Sequence, residues 1–573
     1  MNPSPTIKTY NFNPTRVATL LEEKEIDWPV VYQIFDNKNL YVGETTNLHD
    51  RMSQHLKNPE KSQLTNFSVI FDDTYNKSVA LDLEAQLIQW FSGDGKYTLL
   101  NRNDGIASHK YYDCDKYKQN FTDIWELLRK SGLAKQSISD IQNSGLFKFS
   151  PYKSLTEDQT RVVYNVLENL DEAFKEQTKT LSVIEGKEGT GKTIVIMYLI
   201  KLIRDIQDSH KNDDIEPEQI LDLFFRKPFK DRFKNKTIAV VIPNQSLKGS
   251  IGKIFKTISN LADGSVDVLS PIDFGSNGKK YDLTLVDEGH LLKRSNQEVH
   301  KANREKVDQI TKSLFGNNKP RTELDWIIKK SRNVVMVYGD QRVRPNHITP
   351  KDVDEAINIC NHQKRIYPLK TQMRSLGGKF YIDYLQSILS DNPPQEKQYF
   401  DNFEFKLYHD FNKFVNDVRA KNEEFGLSRL VAGFAWGWKS KKDKNANDIE
   451  IDGCGLKWNS TPNDWVGSPQ SAEEVGSIYT IQGFDLNYVG VIIGNDLKYD
   501  PVQEKIVFSR KNYSDRGAKK RTKQQIAEAV ELSDEELLDQ VVRTYRILMN
   551  RSIKGTYVYV CDENLRNYLA RYI

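Results

Sequence analysis

The run Val183-Ile184-Glu185-Gly186-Lys187-Glu188-Gly189-Thr190-Gly191-Lys192-Thr193 sets glycines, a lysine and a hydroxyl at the spacing G-x-x-x-x-G-K-[ST]. A hydrophobic β-type run leads into it, and Ile194–Leu199 continues with helical character. Such a turn lets backbone N–H groups close around phosphate oxygens, with a helix N-terminus behind them. Gly186, Gly189 and Gly191 are the cradle positions. Lys192 is expected to reach the β- and γ-phosphates, and the Thr193 hydroxyl to bind Mg²⁺. Further on, the apolar run Leu283–Val286 ends in Asp287-Glu288-Gly289-His290. An Asp at the carboxyl end of a strand can hold Mg²⁺, and the adjacent Glu can orient and deprotonate an attacking water.

Three more segments follow in order. Asn333–Tyr338 reads as a strand ending in Gly339-Asp340-Gln341-Arg342, where Gln341 could sense a γ-phosphate. Leu369-Lys370-Thr371-Gln372-Met373-Arg374 supplies a candidate arginine. Ser477–Asp485, with Gly483, precedes the strand Val489–Ile493, and Tyr545–Arg551 leads into the strand Thr556–Val560. A different chemistry lies upstream. Val30-Val31-Tyr32 is followed by Tyr41-Val42-Gly43-Glu44-Thr45-Thr46-Asn47-Leu48-His49-Asp50-Arg51 and then His55. Two tyrosines on neighbouring short strands, with Arg and His one helical turn apart, make a compact polar face. Glu84 falls in an apolar-spaced helix, Ser78–Ile88, and Asn101 follows the strand-like Tyr97–Leu100.

The elements that must position these residues suit a multidomain α/β protein. With 573 residues and 66.3 kDa, two to four domains are expected. Residues 1–27 read as a leader with a helix over 16–25, residues 28–118 as a small α/β module, and 119–150 as a helical linker with Ile124, Trp125, Leu127 and Leu128 on one face. Alternating strands and amphipathic helices over 151–355 and 356–573 predict two parallel-sheet lobes. Segments 205–236, 293–321 and 504–539 read as insertions. Lysines and tyrosines interleaved over 108–118 suit either a nucleic-acid contact or a solvated loop. Trp436, Trp438, Trp458 and Trp465 are candidates for base stacking or for packing.

Composition narrows the classes. Charged residues are 28% and hydrophobic ones 38%, which suits a globular protein; no run approaches a membrane span, and the start lacks a secretory pattern. Cys114, Cys360, Cys454 and Cys561 are scattered, with neither zinc spacing nor a disulfide framework, so a cytoplasmic location is expected. The net charge is only +3, so any basic binding surface must be local.

Residues 28–118 resemble the GIY-YIG endonuclease module in the Tyr-Val-Gly core, the following Thr, the Asn-Leu pair and Arg51. The resemblance implies that Tyr41 activates water, Tyr32 assists, Arg51 stabilises the phosphate, Glu84 binds a divalent cation (Mg²⁺ or Mn²⁺), and Asn101 is the closing Asn. His55 would support this chemistry or make a structural hydrogen bond. The first triplet, Val-Val-Tyr, departs from Gly-Ile-Tyr but keeps the tyrosine. From about residue 150 onward the ordered elements resemble a Schlafen-type superfamily 1 DNA/RNA helicase domain. That implies two RecA-like lobes with ATP between them, Gln159 reading adenine, and Arg374 and Arg551 as arginine fingers. Asn550 departs from the commoner Thr or Ser. Together the resemblances imply an ATP-dependent nuclease-helicase acting on DNA, or on RNA, in defence against foreign DNA or in repair. The alternatives are an ATP-gated nuclease switch without unwinding, and a helicase with a non-cutting DNA-binding module. Double-strand cutting from one nuclease site would call for a homo-oligomer or repeated nicking.

Overall fold

The computed structural model describes residues 5–20, 27–101, 111–153, 155–208, 220–258, 260–294, 301–339, 346–360, 365–461, 465–481, 483–515 and 533–573. Residues 1–167, 194–235 and 252–265 form one compact unit; residues 168–193, 236–251 and 266–573 form a second. The chain is of mixed α/β class, with one small sheet near its N-terminus followed by two parallel sheets.

The first unit is built on five strands: β1 (Thr6–Asn11), β2 (Val30–Phe35), β3 (Asn39–Thr45), β4 (Asn66–Phe71) and β5 (Thr98–Leu99), in the order β1-β4-β2-β3-β5. Strand side chains alternate between faces, and both faces are covered. Val31, Leu40, Val42 and Ile70 pack with the helices Lys77–Asp94 and Cys114–Lys130. Val30, Tyr32, Ile34 and Phe67 pack with Pro14–Thr19 and Leu48–Lys57. Asn47 and Asn76 cap their helices by accepting from Asp50 N and Val79 N, and Gly95 closes the longer one in the left-handed region.

Residues 1–27 are not only a leader. β1 runs antiparallel to β4, and the helix that follows spans Pro14–Thr19, opened by the Asn13 cap and a proline at its start. The expected linker is likewise part of the core: Phe121, Ile124, Trp125 and Leu128 pack into the same cluster as β2 and β3, and burying Trp125 fully contributes on the order of 3 kcal/mol. In segment 108–118, residues 108–110 lie outside the described residues. Tyr111 donates to Asp82 at 2.9 Å and Tyr117 to the Thr74 carbonyl at 2.9 Å, so both tyrosines fasten this helix to the module, while Tyr112 is exposed.

In the second unit β6 (Thr180–Gly186), β7 (Ile238–Val241), β8 (Val266–Leu269), β9 (Tyr281–Val286), β10 (Ser331–Tyr338) and β11 (Ile366–Leu369) make a wholly parallel sheet, ordered β11-β6-β10-β9-β7-β8. A second parallel sheet holds β12 (Glu404–Tyr408), β13 (Arg429–Ala432), β16 (Val475–Gly476), β17 (Leu486–Ile493) and β20 (Ser552–Val560), in the order β12-β20-β17-β13-β16. Two hairpins stand apart, β14 (Ile449–Ile451) with β15 (Cys454–Leu456), and β18 (Leu497–Asp500) with β19 (Lys505–Phe508). Because β11 pairs with β6, the first parallel sheet runs beyond the expected lobe boundary at 355. Trp458 and Trp465 are core residues, and the Trp465 indole donates to Glu474 at 2.8 Å; Trp438 is exposed.

Candidate functional site

In the first unit Tyr32 and Tyr41 share one face of a hairpin, because Tyr32 pairs with Gly43 and Ile34 with Tyr41. The helix Leu48–Lys57 lies on that face and presents Arg51 and His55 one turn apart. Arg51 Nε donates to the Tyr32 hydroxyl at 3.1 Å, and the same hydroxyl lies 2.8 Å from His55 Nε2. Burial first, then Tyr41 and Glu84, raise the Tyr32 phenol well above its ordinary pKa, with Arg51 opposing. Tyr32 is therefore a neutral phenol that accepts from Arg51 and donates to His55, which assigns the His55 proton to Nδ1. Burial works against the Arg51 charge, but Tyr32 and Tyr41 outweigh it and raise its pKa. Tyr41 is half-buried, and Lys61 Nζ stands 3.5 Å from its ring centroid. Glu84, half-buried on Lys77–Asp94, is near enough to act on the Tyr32 phenol. Asn101 clamps β3, accepting from Val42 N at 3.0 Å and donating to Val42 O at 2.8 Å. Arg51 and His55 thus meet at the Tyr32 hydroxyl, with Tyr41 and Glu84 acting on it electrostatically, Asn101 holding the strand beside it, and Lys61 an additional cation that no local pattern marks.

Gly43 is required by close approach. A Cβ there would lie 2.3 Å from the Tyr32 hydroxyl. Gly43→Ala is expected to cost about 1–3 kcal/mol of stability and to dislodge Tyr32 from Arg51. Thermal melting together with a cleavage assay checks this, and an unperturbed site would show wild-type cutting.

The His55 ring has a thermodynamic signature. Burial, then the charges of Lys61 and Arg51, push its pKa down to about 2. The unfolded chain takes up that proton near pH 6.5. Stability from the neutral ring is therefore complete above pH 6.5 and lost as pH falls toward the folded value, by up to about 1.4 kcal/mol per unit. Between pH 7 and 5 the wild type should lose more stability than His55→Gln; denaturant curves that fall in parallel would contradict this.

In the second unit the loop after β6 and the acid pair after β9 converge. Thr193 Oγ1 donates to Asp287 Oδ2 at 2.9 Å, and Lys192 Nζ donates to the carbonyls of Gly186 and Lys187, both at 2.9 Å. Gly189 and Gly191 hold φ of +76° and +75°, as a loop that turns its N–H groups inward requires. Gly186 lies beneath the Thr190 hydroxyl. Glu288 also sits at positive φ, +50°; its Oε2 is buried, makes no hydrogen bond, and lies 3.4 Å from His290 Nε2. Burial and the Glu288 charge raise the Asp287 carboxyl. Burial likewise lowers His290, to about 4, so that ring is neutral at pH 7.

Both candidate arginines reach this loop. Arg551, buried at the start of the turn into β20, lies with Nη2 3.9 Å from Glu188 Oε1. Arg374 Nε donates to Asp485, and its backbone N donates to Gln372 Oε1 at 2.7 Å. Gln372 Nε2 in turn donates to the Glu188 carbonyl at 2.7 Å, and Met373 N to the Gly189 carbonyl at 2.8 Å. Burial opposes the Arg374 charge, while Asp485 and Glu188 raise its pKa; burial lowers that of Arg551. Gln372, Glu188 and Asp485 are contributors the sequence reading passed over. Gln372 stands two residues from Arg374, but nothing local marks Glu188, whose partners come from the far end of the chain. Gly483, at φ +89°, packs toward Leu247. Gln159 belongs to the first unit, where it is buried and accepts from Thr156 N at 3.0 Å. Gln341 lies outside the described residues.

Among the described residues no group of three or more His, Cys, Asp and Glu side chains comes together as a metal nest, and no helix is long and apolar enough to cross a membrane.

Comparison with known proteins assigns both regions. Residues 29–98 match the GIY-YIG catalytic domain, and residues 179–562 match the family described as Schlafen group 3, DNA/RNA helicase domain. An uncharacterized protein of Saccharomyces cerevisiae is 26% identical over 432 residues, which cover 68% of this chain and 83% of the relative. Among solved structures, a Pif1 helicase from Bacteroides in complex with ADP-AlF3 and ssDNA aligns at TM-score 0.21 and 12% identity over 58% of this chain and 86% of that one. A DEAD box protein from Methanococcus jannaschii aligns at TM-score 0.21 and 11% identity over 73% and 93%. These structural likenesses are too slight to carry an argument. The helicase match alone spans well over half of the chain, which therefore belongs to the Schlafen group 3 DNA/RNA helicase family and carries a GIY-YIG nuclease domain ahead of it.

Proposed function

We propose that the chain is an ATP-dependent nuclease-helicase or translocase that moves along DNA and cuts its phosphodiester bonds. The observation that carries the motor half is the convergence of Lys192, Thr193, Asp287 and Glu288 with two arginines from distant segments on one phosphate loop. A buried carboxylate oxygen without a hydrogen bond at Glu288, and a hydroxyl paired to Asp287, suit a Mg²⁺–nucleotide site. Thr193 and Asp287 would hold the ion, which on binding supplies charge against the phosphates. Glu288 would orient the attacking water and accept its proton. Lys192, Arg374 and Arg551 would meet the negative charge that builds on the transferred phosphoryl group. Gln341 would sense the γ-phosphate and couple it to the nucleic-acid site.

For cutting, Tyr41 is the better proton acceptor of the two tyrosines. Its ring faces the Lys61 ammonium, whereas the buried Tyr32 phenol is held neutral. Arg51 would balance the phosphate charge in the transition state. Glu84 would hold one Mg²⁺ or Mn²⁺, which would supply positive charge against the scissile phosphate. We extend the reading to a cytoplasmic enzyme acting on foreign DNA such as phage, with two copies cooperating for double-strand breaks. The four cysteines, none of them in a disulfide, fit a reducing compartment.

Labelled duplex, forked and single-stranded DNA, and matching RNA, incubated with and without ATP and Mg²⁺, test the reading. Cleavage that needs Mg²⁺ and rises with hydrolysable ATP is the expected result. Equal stimulation by a non-hydrolysable analogue would favour a gated switch, and binding without cutting would leave a DNA-holding module.

A further inference from the structure

The phosphate loop follows the carboxyl end of β6, but the amino ends of β6, β7, β9 and β10 surround a different cavity, of about 460 Å³. That is the size range of sites for small ligands. Five basic residues and one acidic residue line it: Lys179, Lys280, Lys329, Lys330, Arg332 and Asp282. Lys179 and Lys280 directly precede β6 and β9, Arg332 is the second residue of β10, and Lys329 and Lys330 end the helix Glu323–Lys330.

The single carboxylate is already committed. Asp282 Oδ2 accepts from Thr237 N and Thr237 Oγ1, both at 3.0 Å, and Lys236 lies 4.0 Å away. Lys330 is held by neutral acceptors, the Phe274 carbonyl and Asn277 Oδ1, so its charge is not cancelled. Among the described residues, Lys179, Lys280, Lys329 and Arg332 form no ion pair with a carboxylate. Burial, and then the Lys329 charge, lower the Lys179 ammonium. Two lysines in the last turn of a helix are explained by its dipole. That account does not reach Lys179, Lys280 and Arg332, which stand at the amino ends of three strands. Like charges collected in a concavity raise the local concentration of anions, and a guanidinium there can grip phosphate oxygens in pairs.

We propose that this cavity binds a ligand bearing clustered phosphate groups, at a site separate from the nucleotide loop. β6 is seven residues long, which puts the two ends of the strand about 20 Å apart at ~3.3 Å per residue. Both sites can therefore be filled at once. The shared chemistry is a run of phosphates, supplied either by a free polyphosphate or by the phosphorylated end of a nucleic-acid strand.

The test uses the full chain carrying Lys192→Ala, which disables the loop, and titrates it calorimetrically with inorganic tripolyphosphate. Adding Lys280→Gln and Arg332→Gln, neither of which removes a packed core side chain, is expected to weaken binding by roughly tenfold or more with an unchanged melting curve. Competition by a 5′-phosphorylated oligonucleotide but not by its 5′-hydroxyl form identifies a strand end as the source; no competition by either identifies the free polyphosphate. Failure of tripolyphosphate to bind the Lys192→Ala protein, or equal binding after the basic pair is replaced, overturns the proposal.

Discussion

Lys192→Ala and Glu288→Gln are each expected to lower nucleic-acid-stimulated ATP hydrolysis by at least 10²–10³-fold, roughly the cost of removing one preorganised charge from a water-excluded site. The two variants should fail differently. Lys192 lies inside the phosphate loop, bonded to its carbonyls, so its loss weakens nucleotide binding as well as turnover. Glu288 keeps its shape as glutamine but loses the buried carboxylate oxygen that makes no hydrogen bond. ATP should then remain bound and uncleaved. Steady-state ATPase assays beside a fluorescent-nucleotide binding measurement separate the two behaviours. Near-normal turnover in either protein would remove the motor assignment.

Arg51→Ala should reduce DNA cleavage by about 10²–10⁴-fold, the range for a positioned group acting in the transition state. The guanidinium is anchored through Nε to Tyr32, Nη1 donates to the exposed Gln54 at 3.1 Å, and Tyr41 also supports its charge. Removing it spares the Tyr32 to His55 hydrogen bond, so the fold should survive. Glu84→Ala should lose cutting to a similar degree, and in both variants the ATPase should persist. Gel assays on labelled duplex under matched Mg²⁺ decide the matter: wild-type cutting by either variant would leave the module a binding domain.

Much of the fold was legible because the strands that carry the chemistry are continuous apolar runs. Leu283–Val286 and Asn333–Tyr338 announce buried parallel strands, and the phosphate loop is a local pattern. Strands at sheet edges are harder to read. β1 buries little, so it shows no apolar run, and β11 contains Pro368, a residue confined to edges because it cannot donate to the ladder. The candidate sites divide in the same way. Tyr32, Tyr41, Arg51 and His55 lie within one hairpin and the next helix, so their spacing predicts a shared face. Glu188 opposite Arg551 depends on chain closure over hundreds of residues, and no window of sequence contains it.

The edge position of β1 bears on how the nuclease region can be handled in isolation. Its boundaries as a matched domain begin at residue 29, and a chain cut there would look complete by sequence. It would also strip β4 of its outer partner and leave the backbone groups of Asn66–Phe71 facing water along a strand rich in Phe, Val and Ile. Such an edge recruits further strands. A truncated module would tend to self-associate, and an apparent oligomer obtained that way would report the missing strand rather than the assembly of the native protein.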